Sequence, residues 1–248
     1  MSGKPLLEMF LLPILTLITL VTATGIIDGE LRKPQVVPAD TGSVRGCLSD
    51  AEISASIQAL SMGSYDDQQE AVAHLKTNAR RSTACRSKTI TGLISAMNQP
   101  NLNLTGGTPQ FYLWHYGARL LGELKAIESL DFLIAHFDLN DGTGFPLDHY
   151  PALGSVIDIG EIALPKLRTE LRTNRDPYTR RHMVFCIGLI GGRFAHQILD
   201  EAVKSESDSC VRSCIQATLI EFDNRRRPHQ ISDVGRTKWY TTFMCNGE

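Results

Sequence analysis

Residues 153–203 read LGSVIDIGEIALPKLRTELRTNRDPYTRRHMVFCIGLIGGRFAHQILDEAV, and this stretch contains one pattern twice. In each copy an apolar segment ends in glycine, at Gly160 and at Gly191-Gly192, and a second segment of helical period follows. Apolar residues spaced near 3.6 predict amphipathic helices, and glycine readily ends a helix. Each copy therefore predicts two helices joined by a glycine turn.

An earlier copy lies at residues 116–137, where Gly122 takes the glycine position. Aligning Gly122, Gly160 and Gly191 gives spacings of 38 and 31 residues. Helix–turn–helix units with a period of this size are typical of α-solenoids. The spacing therefore predicts an all-α fold built as a short solenoid of helix pairs.

The three copies, ARLLGELKAIESLDFLIAHF, LGSVIDIGEIALPKLRTEL and CIGLIGGRFAHQILDEAV, resemble HEAT-like repeats. The pattern of that family is roughly A-L-G-x-I-G followed by A-x-x-x-L-x-x-x-L. The resemblance covers residues 116–223 well and residues 48–96 only as generic helices. It implies a fold and leaves the function open, since one fold serves many functions.

The chain divides into four parts. Residues 10–23 are apolar and uncharged and end in small residues that suit signal peptidase, which predicts cleavage after Ala23 and export to the periplasm or the extracellular space. An uncleaved N-terminal membrane anchor or a buried helix is the alternative, and the run is shorter than the ~20 residues of a bilayer span. The predicted parts are a signal peptide at 1–23, a Gly- and Pro-rich linker at 24–46, the HEAT-like domain at 47–223 and a tail or cap at 224–248.

The predicted domain begins with a recognisable helix start. Ser49 is followed three residues later by Glu52, a capping-box pattern, and an apolar stripe begins at Ile53. Two further helical segments follow at 66–79 and 82–97. These three helices are expected to form an N-terminal pair plus half a repeat.

Charge and composition narrow the functional classes. Apolar residues make up 42% of the 248 residues and charged residues 21%, which suits a folded chain with a sizeable core. The formal net charge is −2, so the chain lacks the basic excess typical of nucleic-acid binding. The expected partner is a protein or peptide, without nucleic acid and, after cleavage, without a membrane span.

Six cysteines are candidates for disulfide bonds, because an even number in an exported chain suggests them. Cys47 could reach Cys85, and Cys245 could hold the tail. Cys210 and Cys214 lie one helical turn apart, so each is expected to bond a different partner. The alternative is that three of the six are buried thiols. The six candidates are Cys47, Cys85, Cys186, Cys210, Cys214 and Cys245. In the alternative, the buried thiols are Cys186, Cys210 and Cys214.

His182 and Cys186 have the i, i+4 spacing that can chelate a transition metal. With Cys210 and Cys214 nearby, a Cys3His zinc site is an alternative to disulfides. The spacing matches no short metal motif, and oxidation would consume the thiols. No metal and no cofactor are therefore predicted.

A group of arginines surrounds the turn between the two best copies. Guanidinium groups bind carboxylates and phosphates through paired hydrogen bonds. The group could therefore hold a carboxylate, a phosphate or an acidic polysaccharide, or it could be a solvated face with Glu170 and Asp176 as partial counterions. Its members are Arg168, Arg172, Arg175, Arg180 and Arg181.

The sequence contains no HExxH, no G-x-S-x-G, no P-loop and no dinucleotide fingerprint. It therefore favours a binding or scaffolding protein without catalytic activity, whose extended surface would hold a protein or peptide. Some HEAT-like repeat proteins resemble lyases that attach bilins to antenna proteins. The resemblance thus leaves open an enzyme or enzyme accessory, lyase-like or thiol-dependent, that uses a cysteine or histidine in the groove. A purely structural component is the third interpretation.

Overall fold

Helices form all the regular secondary structure in the part of the chain that the structure describes. The computed structural model describes residues 46–100, 102–140 and 150–224, with side chains up to residue 222. The all-α prediction is confirmed for these residues, which contain no strand. The helices are α1 (Asp50–Met62), α2 (Tyr65–Ala79), α3 (Thr83–Met97), α4 (Pro109–Glu123), α5 (Leu130–Ile134), α6 (Pro151–Ile159), α7 (Leu164–Thr173), α8 (Pro177–Ile190), α9 (Gly192–Ser205) and α10 (Ser209–Asn224), with 3-10 turns at Ile127–Ser129 and Gly160–Ala163.

Several predicted segments lie outside the described residues. These are the signal peptide at 1–23, the linker at 24–46 except Gly46, and the tail from residue 225 onward. Within the described residues, no helix combines the length and apolarity that a membrane crossing needs.

The start of α1 confirms the predicted capping box. The Ser49 hydroxyl accepts a hydrogen bond from Glu52 N at 3.2 Å, and the Glu52 carboxylate accepts one from Ser49 N at 2.7 Å. Ser64 and Asp67 make the same reciprocal pair at the start of α2. These side chains satisfy N–H groups that have no partner within the helix.

Five helices pack side by side in one row: α1 against α4, α4 against α6, α6 against α8, and α8 against α10. The remaining helices flank this row, with α2 and α3 beside α1 and α4, α5 beside α6, α7 beside α8, and α9 beside α10. The described residues belong to one compact unit. Each helix of the row buries its apolar face against its neighbours, as a continuous core requires.

Among the aromatic residues at 111–116, Trp114 is the most deeply buried. Its side chain is 1% exposed, and its Nε1 donates a hydrogen bond to Met97 O at 3.2 Å. Phe132 stacks on its ring with 5.4 Å between the ring centroids. A buried indole with its N–H satisfied stabilises the contact between α3 and α4.

The turns between paired helices correct the glycine alignment. Gly122 lies inside α4, where a Cβ would come within 3.0 Å of Ser155 O and 2.8 Å of Asp158 Cβ, so glycine here permits α4 to approach α6. The residue with positive φ in the first turn is Lys125, with φ 53°, two residues after the end of α4, whereas Gly160 and Gly191, with φ 83° and 74°, directly follow α6 and α8. Positions 125, 160 and 191 are 35 and 31 residues apart, which is more regular than the sequence alignment suggested.

Candidate binding surfaces

A groove of about 800 Å³ lies between α1 and α3, and the start of α4 completes its wall. A Cβ at Gly92 would lie 2.9 Å from Ile53 Cγ2, so glycine lets the backbone of α3 approach the side chains of α1. Ile53, Ile57, Ala96, Pro109 and Leu113 provide the apolar part of the lining. We call this surface the α1–α3 groove; it is lined by Asp50, Ile53, Ser54, Ile57, Gln58, Ser61, Lys88, Thr91, Gly92, Ser95, Ala96, Gln99, Pro109, Gln110 and Leu113.

The rest of the groove lining is polar but largely uncharged, because hydroxyl and amide side chains dominate it. Its charged residues, Asp50 and Lys88, pair with each other at 3.0 Å. Lys88 also donates to Leu48 O at 3.0 Å. An apolar floor with an uncharged hydrogen-bonding rim suits a protein segment better than a strongly charged ligand.

A disulfide supports the N-terminal end of the groove. Cys47 and Cys85 are bonded, with 5.0 Å between their Cα atoms, which confirms that Cys47 reaches Cys85. The buried Asn78 side chain holds the same region, since it accepts from Leu48 N at 2.9 Å and donates to Thr89 Oγ1 at 2.9 Å. The entry to α1 is therefore fixed against α2 and α3.

The other cysteines divide into two groups. Cys210 is disulfide-bonded, and Cys245, which the sequence assigned to the tail, lies outside the described residues. Cys186 and Cys214 were candidates for disulfides, but both are thiols buried in the core. The Cys186 thiol donates a hydrogen bond to Leu153 O, on the neighbouring helix α6, at 3.8 Å, and forms no disulfide bond.

The environment of the two thiols opposes nucleophilic chemistry. Burial raises the pKa of Cys186 well above its ordinary value and raises the pKa of Cys214 to about 11. Both groups are therefore protonated at neutral pH. Since the thiolate is the nucleophile and the metal ligand, neither residue is prepared for the thiol-dependent alternative.

His182 is a packed side chain, and one of its two ring nitrogens makes a hydrogen-bond contact. Its Nδ1 lies 3.0 Å from Tyr178 O, and its ring centroid lies 4.4 Å from that of Tyr178 and 5.0 Å from that of Tyr150. Burial lowers the pKa of His182 to about 4. No cluster of three or more His, Cys, Asp or Glu side chains among the described residues could hold a metal ion.

The five predicted arginines do not form one exposed patch. Arg180 and Arg181 are 9% and 6% exposed. The guanidinium of Arg180 makes a bidentate pair with Glu206, at 2.9 Å and 3.0 Å, and Arg168 pairs with Glu201 at 2.6 Å. The two that remain exposed are Arg172 and Arg175.

Three of these arginines nevertheless line a second cleft of about 810 Å³, where the turn between α7 and α8 meets the turn between α9 and α10. We call it the arginine cleft. Its ligand-binding role stays a prediction. It is lined by Leu171, Arg172, Thr173, Asn174, Arg175, Pro177, Arg180, Ala202, Ser205, Glu206, Ser207 and Asp208.

Sequence reasoning did not identify the α1–α3 groove. Its signal is a set of small or polar residues at helical spacing on a face without a large apolar side chain: Thr91, Gly92 and Ser95 in α3, and Gln99 just after it. Such a run also occurs on ordinary solvated helix faces. Only the approach of α1 at Gly92 turns it into the wall of a groove.

Comparison of the chain with protein-family models, with curated proteins and with solved structures gives no match.

Proposed function

We propose that this protein is an exported HEAT-like helical-repeat scaffold that binds a segment of a partner protein in the α1–α3 groove. The observation that carries the proposal is the groove itself, whose apolar floor is bordered by hydroxyl and amide groups. Main-chain and uncharged side-chain groups of a bound peptide would find hydrogen-bond partners on this rim while apolar side chains fill the floor.

The row of helices supports the repeat part of the proposal. Successive helices add to the row at α4, α6 and α8, and each is followed by a turn that contains a residue with positive φ, Lys125, Gly160 or Gly191. Helix pairs stacked in this way bury their cores against neighbours and leave surface available for ligands.

The chemistry of the groove favours binding over catalysis. Its lining contains no His and no Cys, and its Asp50 and Lys88 are paired with each other. General acid–base catalysis needs a titratable group within reach of the substrate, and nucleophilic catalysis needs an activated nucleophile.

Two features support export. The apolar run at 10–23 has the pattern of a signal peptide, and the bond between Cys47 and Cys85 is the kind that oxidising compartments maintain.

Peptide selection tests the binding proposal. A phage-displayed library of random short peptides would be selected on the purified protein, and each enriched peptide would be assayed against two variants. Ser95→Trp fills the groove, whereas Thr77→Trp places the same side chain on the exposed surface of α2. The proposal expects enriched, mostly uncharged peptides that lose binding to Ser95→Trp and retain it with Thr77→Trp. Peptides that bind both variants equally, or no enrichment at all, would contradict it.

Intact mass tests export. Protein from its native host would be measured with and without reduction and alkylation. Loss of the first 23 residues together with masked thiols is the expected result. A full-length chain whose six thiols all react without reduction would exclude both export and the disulfides.

A further inference from the structure

The arginine cleft differs from the groove because it contains exposed guanidinium groups that form no salt bridge with a described side chain, although the charge of Arg172 acts on the Glu201 carboxylate. Arg172 and Arg175 are exposed and make no ion pair with any described side chain. Arg172 lies in the last turn of α7, where the helix dipole favours cations, and Arg175 lies two residues beyond the end of the helix. An anion entering the cleft would meet two exposed guanidinium groups that form no salt bridge.

The carboxylates beside these arginines, those of Asp176 and Asp208, accept hydrogen bonds from backbone N–H groups. Asp176 caps α8 by accepting hydrogen bonds from Tyr178 N at 3.2 Å and Thr179 N at 2.9 Å. Burial raises the pKa of Asp176, but the hydrogen bonds from Thr179 and Tyr178 outweigh it and lower the pKa overall. Asp208 caps α10 in the same manner through Cys210 N and Val211 N.

The walls of the cleft are held in place by a buried ion pair. Arg180 joins Glu206 to the α7–α8 turn, because its Nη1 also donates to Asn174 O at 3.0 Å. Arg212 donates to Glu206 O from the other side, at 3.0 Å from its Nε. Both turns are therefore fixed before a ligand arrives, which reduces the entropic cost of binding.

A smaller pocket of about 210 Å³ continues the surface along α7 and α9. It shares Arg172 and Ser205 with the cleft and is also lined by Arg168. The Nε of Arg168 is buried and makes no hydrogen bond within the described part of the chain. The pocket is also lined by Glu201, whose carboxylate pairs with the Arg168 guanidinium at 2.6 Å.

We propose that the arginine cleft binds an acidic peptide segment, with carboxylates on Arg172 and Arg175. Guanidinium groups suit carboxylates because two N–H groups can donate to the two oxygens. The cleft volume of about 810 Å³ accommodates several residues. This inference rests on the proposed function only in taking the partner to be a protein. The arginine cleft and the α1–α3 groove share no residue, so each can be tested separately.

Fluorescence anisotropy with labelled oligoglutamate tests this proposal, with oligoglutamine as the neutral probe. The double variant Arg172→Gln, Arg175→Gln is compared with Arg80→Gln, Arg193→Gln, which removes the same charge from exposed arginines outside the cleft. We expect the wild type and the control to bind oligoglutamate and the cleft variant to bind about tenfold or more weakly, with an affinity that falls as salt rises. The net charge of −2 makes attraction by the whole protein a poor explanation for such binding.

Three outcomes would overturn the inference. The first is no binding of oligoglutamate by the wild type, and the second is an equal loss in the cleft variant and the control. The third is competition by inorganic phosphate at concentrations comparable to the peptide, which would assign the cleft to a small anion. Ser95→Trp should leave oligoglutamate binding unchanged, so failure of the groove proposal and failure of the cleft proposal are distinguishable.

Discussion

The α1–α3 groove and the arginine cleft have nearly the same volume, about 800 and 810 Å³, yet opposite chemistry. The groove is formed by the close approach of two helices at Gly92 and is almost uncharged. The cleft is formed by two turns and is lined by charged residues that a buried ion pair holds in position. The volume of a cavity therefore says little about its ligand. The contacts that the lining residues already make indicate which of their groups can still bind one.

The largest difference between the two regions should appear when their ion pairs are broken. Arg180 and Glu206 have side-chain exposures of 11% and 8%, whereas Lys88 and Asp50 have 37% and 89%. Glu206→Ala leaves the Arg180 charge buried without its partner, which is expected to cost about 3–5 kcal/mol of unfolding free energy. Urea unfolding followed by circular dichroism measures this loss.

Asp50→Ala is the matched change in the groove and should alter the urea midpoint very little, because exposed pairs contribute weakly. In the double variant Arg180→Met, Glu206→Leu, most of the lost stability should return, since no charge remains buried. Equal destabilisation by Glu206→Ala and Asp50→Ala would remove the distinction between the two regions.

The disulfide bond between Cys47 and Cys85 stabilises the groove, as the ion pair between Arg180 and Glu206 stabilises the cleft. Cys47 and Cys85 close a loop of 38 residues, so the double variant Cys47→Ala, Cys85→Ala should lose about 2–4 kcal/mol by the chain-entropy estimate. Hydrogen exchange should accelerate in α1 and α3 and remain unchanged in α8 and α10. Uniform acceleration throughout the described helices would mean that the disulfide stabilises the whole domain and not the groove alone.

Acid should weaken the C-terminal region through His182. Its folded pKa of about 4 lies below the ordinary value of about 6.5, so the unfolded chain binds the proton more tightly. Stability is then fully present above about pH 6.5 and is lost as the pH falls toward 4, with a change of about 2 kcal/mol between pH 6 and 4.

Urea unfolding at several pH values measures this effect, and His182→Gln should flatten the slope in that window. The control His74→Gln changes an exposed histidine of α2 and should retain the slope of the wild type. A wild-type slope that His182→Gln leaves unchanged would show that other groups carry the pH dependence.

The binding surfaces themselves should have the smallest effect on stability. Ser95→Trp and the pair Arg172→Gln, Arg175→Gln change exposed side chains, so melting temperatures should shift by no more than about 2 °C. Differential scanning calorimetry checks this expectation. A larger shift would mean that loss of peptide binding in these variants reflects unfolding and would invalidate them as probes of either surface.

Much of the fold was predictable because it depends on local patterns. The capping box at Ser49 and Glu52 and the turns at Gly160 and Gly191 follow from side-chain hydrogen bonding and from the freedom of glycine at positive φ. The first turn was misplaced because its left-handed residue is Lys125, which carries no such signal. Gly122 was misread since a glycine needed for close packing looks the same in sequence as one needed for a turn.

The candidate surfaces were less predictable because they depend on contacts between distant residues. The cluster of arginines was visible in the sequence, but its division into buried Arg180 and exposed Arg172 and Arg175 depends on where Glu206 lies. Likewise the sequence marked Cys186 as a candidate for oxidation, and only the packing of α8 against α6 shows it to be a buried thiol.

The sequence by itself determined the helical class and the starts of the first three helices, because each of these follows from interactions within a few residues. The tertiary structure alone decided which helices form the row, where the close approach at Gly92 forms a groove, and which charges remain available for a ligand. Those features depend on side chains that are far apart in the chain. Their distances, burial and counterions exist only once the helices have packed.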